Sequence, residues 1–420
     1  MATRLAIHGG EKTRTRSFPT VGDKSGRLIG EEEKKLVLEV LESGKLNRNN
    51  GTKVVEFEKH FAAKYGVKHA IASTSGTSAL HVAVAALNLE PGDEIITTTI
   101  TDMGSLIGIL MQNLVPMFAD VDRRTGNITA ETIERVLSPR TRAIMPIHLF
   151  GQPCDMDPIL DLARERKLYV IEDASQAHGA MHKGRLVGTM GDLGCFSFQQ
   201  SKQMTTGDGG MTITNDDKLA ERARLFADKA WPRGSGRGHL FLAMNYRMTE
   251  LQGAVGLAQL SKLDMILERR RRTAGLLTDL LRKAPGVNAS FLYDGVTHSW
   301  WIYSLTIDEK RFEATPQKFA KALQAEGVPF GAGYIPNPMF DYPVIKERAT
   351  YGTSQIPWTL PQARPGITYR DEDVPNTLWF LSHTINMSWN EGITEDDVRD
   401  IAAAIEKVAR WFDEHPGGGG

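Results

Sequence analysis

The chain has 420 residues, enough for roughly two or three domains. Lys and Arg total 50 and Asp and Glu total 51, so the formal net charge is −1 at pH 7. This balance argues against a protein that coats nucleic acid, because such a protein needs a basic excess to neutralise phosphates. Hydrophobic residues make up 41% and charged residues 24%, which is typical of a folded globular protein.

The two cysteines, Cys154 and Cys195, are too few for a disulfide framework and favour a reducing, cytoplasmic location. No Cys or His cluster has the spacing of metal ligands, so we predict no metal site. No stretch approaches the roughly 18 consecutive apolar residues of a membrane-spanning helix, so we expect no membrane partner. We expect residues 415–420 to form a disordered tail.

Between Val54 and Asn215, short apolar runs alternate with helical patterns, which predicts βαβ units and a mostly parallel sheet. The predicted strands cover residues 69–73, 94–98, 115–119, 143–147, 168–171, 194–198 and 210–215. The predicted helices cover residues 54–65, 105–112, 130–136 and 156–166, with a further helix that follows the turn at 75–78 and ends at Leu87.

After Met248 the pattern changes, and we predict two domains: a large one over residues 1–265 and a smaller C-terminal α+β domain over residues 266–414. The predicted elements are a long helix at 248–284, a strand at 300–306, a helix at 316–325, a Pro- and Gly-rich stretch at 328–365 and a helix at 395–412. The long helix carries four consecutive arginines, at 269–272. They point in all directions from a helix, so we interpret them as a solvated or subunit-contact surface.

Two segments place polar groups where predicted strands end. The turn Ser-Gly-Thr-Ser at 75–78 opens a predicted helix, so it either binds a phosphate through backbone N–H groups or is a simple N-cap. Asp173 follows a buried strand, where ligands of open α/β sheets bind. Its carboxylate could hold a cation, such as a pyridinium nitrogen or Mg²⁺, or cap a helix. Nearby His178 is either an acid or base or a packed, hydrogen-bonded histidine.

Lys202 lies in a polar loop that ends in the glycines of GDGG (207–210). A lone lysine in a loop is usually a surface residue, but a desolvated lysine can have a depressed pKa and form Schiff bases. The turn at 75–78, Asp173, Ser197 and Lys202 together form an ordered set. They match the needs of pyridoxal phosphate (PLP), which requires a phosphate anchor, an acid against its ring nitrogen and a Schiff-base lysine.

A longer joint pattern includes these residues. It consists of SGTSAL (75–80), GDEII (92–96), HLFGQPCDMDPI (148–159), VIEDASQAHGA (170–180), FSFQQSK (196–202), GDGG (207–210) and NYRMTELQGA (245–254). With these motifs the chain resembles the DegT/DnrJ/EryC1/StrS group of PLP-dependent aminotransferases, which act on keto-sugars and cyclitol ketones. The resemblance implies an α/β protein of fold type I, with a mostly parallel sheet in a large PLP-binding domain and a smaller C-terminal α+β domain.

The resemblance also implies a role for each residue that matches the pattern. Lys202 resembles the lysine that forms the Schiff base and moves the proton in catalysis. Asp173 resembles the residue paired with the pyridinium nitrogen, and Gln176 the residue bonded to the ring hydroxyl.

Five further residues match positions at the phosphate or at the substrate. Gly76, Thr77 and Ser197 match the phosphate binders. Asn245 matches a residue that reaches the phosphate from the neighbouring subunit, which implies a homodimer with shared active sites. Arg247 either binds a substrate carboxylate or forms a structural ion pair.

Two segments depart from the family pattern. Asp102 falls where the family usually has an aromatic residue stacked on the pyridine ring, so either another group covers the ring or Asp102 has a polar role near the cofactor. Residues 330–343 lack the histidine-containing stretch common in the family, so the resemblance does not identify the acceptor. Tyr334 in this stretch is a candidate substrate contact, as is His178.

We therefore expect a PLP-dependent aminotransferase that moves an amino group from L-glutamine or L-glutamate to a keto-sugar or cyclitol ketone through Lys202. Glutamine is favoured because HLFG and FSFQQSK are similar to segments of the inosose aminotransferases. The alternatives are a non-sugar carbonyl acceptor and a non-catalytic PLP-binding regulatory protein. The sugar-dehydratase branch of the family has histidine at the lysine position, so Lys202 argues against it.

Overall fold

The computed structural model describes residues 4–234, 236 and 238–417; residues 418–420 of the predicted tail lie outside them. The strands are β1 His69–Ser73, β2 Glu94–Thr98, β3 Val115–Ala119, β4 Thr141–Ile144, β5 Tyr169–Asp173, β6 Met181–His182, β7 Arg185–Leu186, β8 Leu193–Ser197, β9 Gly210–Thr214, β10 Val287–Ala289, β11 Val296–Thr297, β12 Ile302–Ile307, β13 Gly331–Ala332 and β14 Ile385–Ser388.

The helices surround these strands. They are α1 Glu31–Ser43, α2 Lys53–Tyr65, α3 Gly76–Ala86, α4 Gly104–Met111, α5 Ala130–Glu134, α6 Met156–Arg166, α7 Asp217–Ala227, α8 Glu250–Leu281, α9 Glu309–Phe312, α10 Pro316–Ala325, α11 Pro343–Lys346, α12 Pro375–His383 and α13 Glu395–Glu414. None of the helices in the described part of the chain combines the length and apolar character that a membrane crossing requires.

The main sheet has the strand order β1-β9-β8-β5-β4-β2-β3. The neighbours from β8 to β3 pair in parallel, and β9 runs antiparallel to both β1 and β8. Strands β2, β3, β8 and β9 are buried at every position, as expected for a sheet covered by helices on both faces. This architecture confirms the predicted α/β fold with a mostly parallel central sheet.

A second, antiparallel sheet has the order β10-β12-β14-β13 and packs with α10 and α13. Not every later residue belongs to this second core. Met339, Phe340, Phe380 and Leu381 lie in the same hydrophobic cluster as the main sheet. The chain therefore returns to the first core after residue 330, and the division at residue 265 stays a prediction.

The arginine run at residues 269–272 is not uniformly solvated, which corrects our interpretation. The Arg270 side chain is fully buried and forms an ion pair with Glu391. Helix α8 packs against α1, α2 and α13, so a residue on its inner face is covered whatever its charge. The pattern of four like charges could not reveal this, because the partner lies far away in the sequence.

Candidate active site

A cavity of about 370 Å³ lies where β1, β5 and β8 end and α3 and α4 begin. Its lining includes the predicted site residues Gly76, Thr77, Asp102, Asp173, Gln176, Ser197, Lys202 and Tyr334. Carboxyl ends of parallel strands and N-termini of helices meet there, which is the usual ligand position in such sheets. The structure thus brings together most of the residues singled out in the sequence.

One end of the cavity is formed by the start of α3. Ser75 caps this helix, with its Oγ accepting from the Ser78 N–H at 3.0 Å. Gly76 packs so closely that a Cβ there would lie 2.6 Å from Cβ of Ser197. The turn is therefore both an N-cap and a narrow cradle. Its backbone N–H groups and the hydroxyls of Thr77 and Ser197 can bind a phosphate.

Asp173 is almost completely buried on the cavity wall. Its Oδ2 accepts a hydrogen bond from Ser105 Oγ at 2.8 Å, and its Oδ1 accepts from the Ser175 N–H at 3.0 Å. Both bonds fix the orientation of the carboxylate on the cavity wall. Ser105 was missed in the sequence. The sequence offers one signal for it: Ser105 follows Thr101 by four residues at the start of a predicted helix. In the structure the two hydroxyl groups are 2.7 Å apart.

Lys202 enters the cavity from the loop between β8 and β9. Its Nζ lies 3.6 Å from the ring centroid of Trp301, a residue that sequence analysis did not identify. Desolvation lowers the pKa of Lys202 to about 8, although the negative charges of Asp173 and Asp102 act in the opposite direction. A larger fraction of this amine is therefore neutral and nucleophilic near neutral pH than of an ordinary lysine.

Gln176 and Tyr334 form another part of the wall. Gln176 Oε1 accepts from the Phe150 N–H at 2.7 Å, so the oxygen end of this amide is engaged by the backbone. The amide N–H groups are then the donors that Gln176 can offer to a ligand. Burial raises the pKa of Tyr334, and so do the charges of Asp102 and Asp173, so its hydroxyl stays protonated.

Asp102 lies at the exposed edge of the cavity, and its Oδ1 accepts from the Gly104 N–H at 2.8 Å. A Cβ at Gly104 would lie 2.6 Å from Thr77 Oγ1, so the start of α4 lies close to the start of α3. Asp102 therefore binds the first backbone N–H of α4, and its negative charge raises the pKa of Lys202.

His178 does not line the cavity, which contradicts its expected contact with substrate. It is fully buried, its Nε2 is 2.8 Å from the Ser197 carbonyl oxygen, and its ring stacks on Phe198. Desolvation lowers its pKa to about 4, so the ring is neutral. His178 is therefore a packed, hydrogen-bonded histidine behind Ser197.

Asn245 and Arg247 also lie outside the cavity of their own chain. Asn245 is exposed and pairs with Asp228 through a backbone bridge. Arg247 forms an ion pair with the Asp228 carboxylate, which is the structural alternative considered for it. Neither residue reaches Lys202 within one protomer.

The residues of the cavity fit PLP. The Gly76–Ser197 cradle could hold a phosphate and Asp173 could pair with a protonated ring nitrogen. Gln176 has amide N–H groups that could donate to the ring, and Lys202 has an amine that could form the Schiff base. Ser175 Oγ, on the same wall, is buried without a hydrogen-bond partner and is thus available to a ligand. Among the described residues, no group of three or more His, Cys, Asp or Glu side chains could hold a metal ion.

Comparisons with known proteins agree with this chemistry. GDP-perosamine synthase of Caulobacter vibrioides is 36% identical, covering 93% of this chain and 99% of the relative. A putative L-glutamine:3-amino-2,3-dideoxy-scyllo-inosose aminotransferase of Micromonospora echinospora is 34% identical and covers 97% of each chain. The structure of DesI with its TDP-sugar product has a TM-score of 0.82 at 26% identity, covering 99% of this chain and 98% of DesI.

The family comparison spans most of the chain. The pattern of the DegT/DnrJ/EryC1/StrS aminotransferase family matches residues 27–365, which include every residue that lines the cavity. The chain belongs to this family and is a PLP-dependent aminotransferase.

Proposed function

We propose that this aminotransferase transfers an amino group from L-glutamine or L-glutamate to a ketone on a sugar or a cyclitol, with Lys202 as the Schiff-base residue. The observation that carries the proposal is the amine of Lys202, whose pKa is lowered to about 8, in a cavity shared with the fixed carboxylate of Asp173. The names of the relatives, which include a sugar-nucleotide enzyme and a cyclitol enzyme, support this acceptor class.

Each wall residue has a defined task in this proposal. Gly76, Thr77 and Ser197 hold the phosphate, and Gln176 donates to the ring hydroxyl. Asp173 would pair with a protonated ring nitrogen, because its carboxylate is held in place on the cavity wall by Ser105 and Ser175. When bound, PLP supplies an electron sink that makes the hydrogen on the amine-bearing carbon of the substrate acidic.

Lys202 performs the proton transfer. Its Nζ lies on the cavity wall and, as a free amine, would take the proton from the amine-bearing carbon of the donor and hold it for return. Its lowered pKa suits this task, because a base acts best when its pKa lies near the working pH. The reverse order of steps places the amino group on the ketone.

We also propose a homodimer in which Asn245 reaches the phosphate of the neighbouring active site. Its exposure and its distance from the cavity of its own chain support this arrangement. Mixing Lys202→Ala with Asn245→Ala subunits should then restore activity that neither variant has alone. Failure of such mixed dimers to gain activity would contradict shared sites.

The reaction itself is tested by half-reactions. Purified protein loaded with PLP should change its visible absorbance when L-glutamine or L-glutamate is added, and a panel of amino-sugars and aminocyclitols should do the same in the reverse direction. The amine that reacts fastest identifies the acceptor as its ketone. Absence of any change with both amino acids and with the whole panel would contradict the proposal. If a second panel of amines without a sugar or cyclitol ring reacts and the first does not, the proposed acceptor class is wrong.

A further inference from the structure

Behind Lys202 lies a buried group of three charged residues that the reaction as described does not use. The side chains of Arg27, Arg270 and Glu391 are at most 1% exposed. They come from three parts of the chain: the segment before α1, helix α8 and the loop after β14. We refer to them as the Arg27–Glu391–Arg270 network.

Arg27 connects this network to the lysine loop. Its Nη1 donates to the Lys202 carbonyl oxygen at 2.6 Å and lies 3.5 Å from Glu391 Oε1. Hydrogen bonds from a charged donor are among the strongest in proteins. The backbone of Lys202 is also held from its other side, because its N–H donates to the Gln199 carbonyl oxygen at 2.9 Å.

Arg270 connects the same network to the other end of the lysine side chain. It binds Glu391 Oε2 through Nε at 3.0 Å and Nη2 at 2.6 Å, and its Nη1 donates to the Trp300 carbonyl oxygen at 3.1 Å. The next residue, Trp301, carries the ring over which Lys202 Nζ lies. The network therefore touches the backbone beside both ends of the Lys202 side chain.

A contribution to the stability of the fold does not by itself explain why the charged side chain of Arg27 is buried here. Two arginines share one carboxylate, and Nε and Nη2 of Arg27 are buried without hydrogen-bond partners. Desolvation lowers the pKa of Arg27 to about 10, which reflects the cost of keeping this charge away from water. Buried ion pairs often stabilise a fold less than apolar residues of similar volume would.

We infer that Arg27 is a positioning residue for the active-site amine: it fixes the backbone of Lys202 relative to Trp301 through the shared carboxylate of Glu391. This inference rests on the proposed role of Lys202. In this inference the segment before α1 helps to position the active-site lysine, in addition to any contribution to the stability of the fold.

Arg14 provides a matched control. It belongs to the same N-terminal segment, its side chain is 3% exposed, and it pairs with Asp397 and Asp400 at 2.7 Å each, but it donates to no group of the lysine loop. R27K and R14K each keep the positive charge and remove the planar fork. In R27K a single ammonium cannot reproduce the geometry of both the Glu391 contact and the bond to the Lys202 carbonyl.

The experiment titrates apo-protein of wild type, R27K, R14K and K202A with PLP. It records the dissociation constant, the visible circular dichroism per bound PLP and the thermal melting of the apo-protein. R27K should bind PLP roughly ten-fold more weakly than wild type and give a smaller visible signal, since a bond from a charged donor is lost. R14K should have the same PLP affinity and the same visible signal as wild type. This should hold even if its melting temperature falls as far as that of R27K.

Two results would overturn the inference: wild-type affinity and visible signal in R27K, or equal losses in R14K and R27K. A failure of the proposed function looks different. In that case wild type itself gives no visible band that depends on Lys202, and K202A is indistinguishable from it.

Discussion

The amine of Lys202 lies over the indole of Trp301, with Nζ 3.6 Å from the ring centroid. The indole is tied to the lysine loop, because its Nε1 donates to the Ser201 carbonyl oxygen at 3.0 Å. The aromatic surface thus holds the amine in one direction and shields it from water. This contact joins two segments separated by about a hundred residues, and it affects both the orientation of the Lys202 amine and its exposure to water.

Trp301→Ala should slow transamination roughly five-fold, because the amine loses a cation–π contact of about 1 kcal/mol that holds it in position. Trp301→Phe keeps a ring and should retain most of the rate. Single-turnover measurements with the amino donor test this directly. Equal rates for the Ala and Phe variants would show that the ring does not position the amine.

The pH dependence of PLP incorporation follows from the lowered pKa of Lys202. Only the neutral amine attacks the aldehyde, so the rate of incorporation into apo-protein should rise through about pH 8 and level off above it. Stopped-flow absorbance measures this rate. An ordinary lysine would instead give a rate that still rises above about pH 10.

The variant Asp102→Asn tests whether the charge of Asp102 contributes to the pKa of Lys202. The charge of Asp102 raises the pKa of Lys202, so its removal should move the midpoint of the rate profile to lower pH. An unchanged midpoint would mean that Asp102 acts on the helix start alone.

Gly76→Ala should weaken PLP binding roughly ten-fold or more. The added Cβ would lie 2.6 Å from Cβ of Ser197, so one side of the phosphate cradle must move. Gly275→Ala is the control, because a Cβ at this position of α8 meets nothing within 4 Å. PLP titration followed by fluorescence compares the two; comparable affinity in both variants would be inconsistent with a phosphate at the Gly76 turn.

Acid stability should depend on His178. Its pKa is about 4 in the folded chain and about 6.5 when unfolded, so the unfolded chain binds more protons below about pH 6.5. Stability therefore falls as the pH drops from about 6.5 towards 4, by about 2 kcal/mol at pH 5 from this group. His81, with a pKa also lowered to about 4 by desolvation, adds to the effect.

Denaturant unfolding of the apo-protein at pH 8 and pH 5 measures this loss. His178→Gln should reduce the difference between the two pH values, while His60→Gln, at an exposed position, should leave it unchanged. If His178→Gln loses as much stability between pH 8 and pH 5 as wild type does, His178 is not a buried neutral histidine whose protonation opposes folding.

Local patterns predicted much of the fold. Helices α6 and α10 begin and end at the predicted residues, because each has an amphipathic pattern bounded by clear signals. The predicted strands of the main sheet also occur, because fully buried strands form short apolar runs. Helices α1 and α7 were missed. Both are rich in charged residues, and each is held by packing on one face.

The motifs predicted the residues that lie close to one another in the site, but not their partners from distant segments. Asp173, Gln176, Ser197 and Lys202 all line the cavity. Trp301 and Arg27 reach Lys202 only through the tertiary fold, and no local pattern distinguishes them from other tryptophans and arginines. His178 sits within a motif of the family, yet its place behind Ser197 depends on packing against Phe198.

The most direct test of the account is the identity of the residue that carries the cofactor. Protein incubated with PLP and reduced with borohydride should show one stable phosphopyridoxyl group, which peptide mass mapping places on Lys202, and Lys202→Ala should show none. Labelling at another lysine, or equal labelling of the variant, would contradict the central claim.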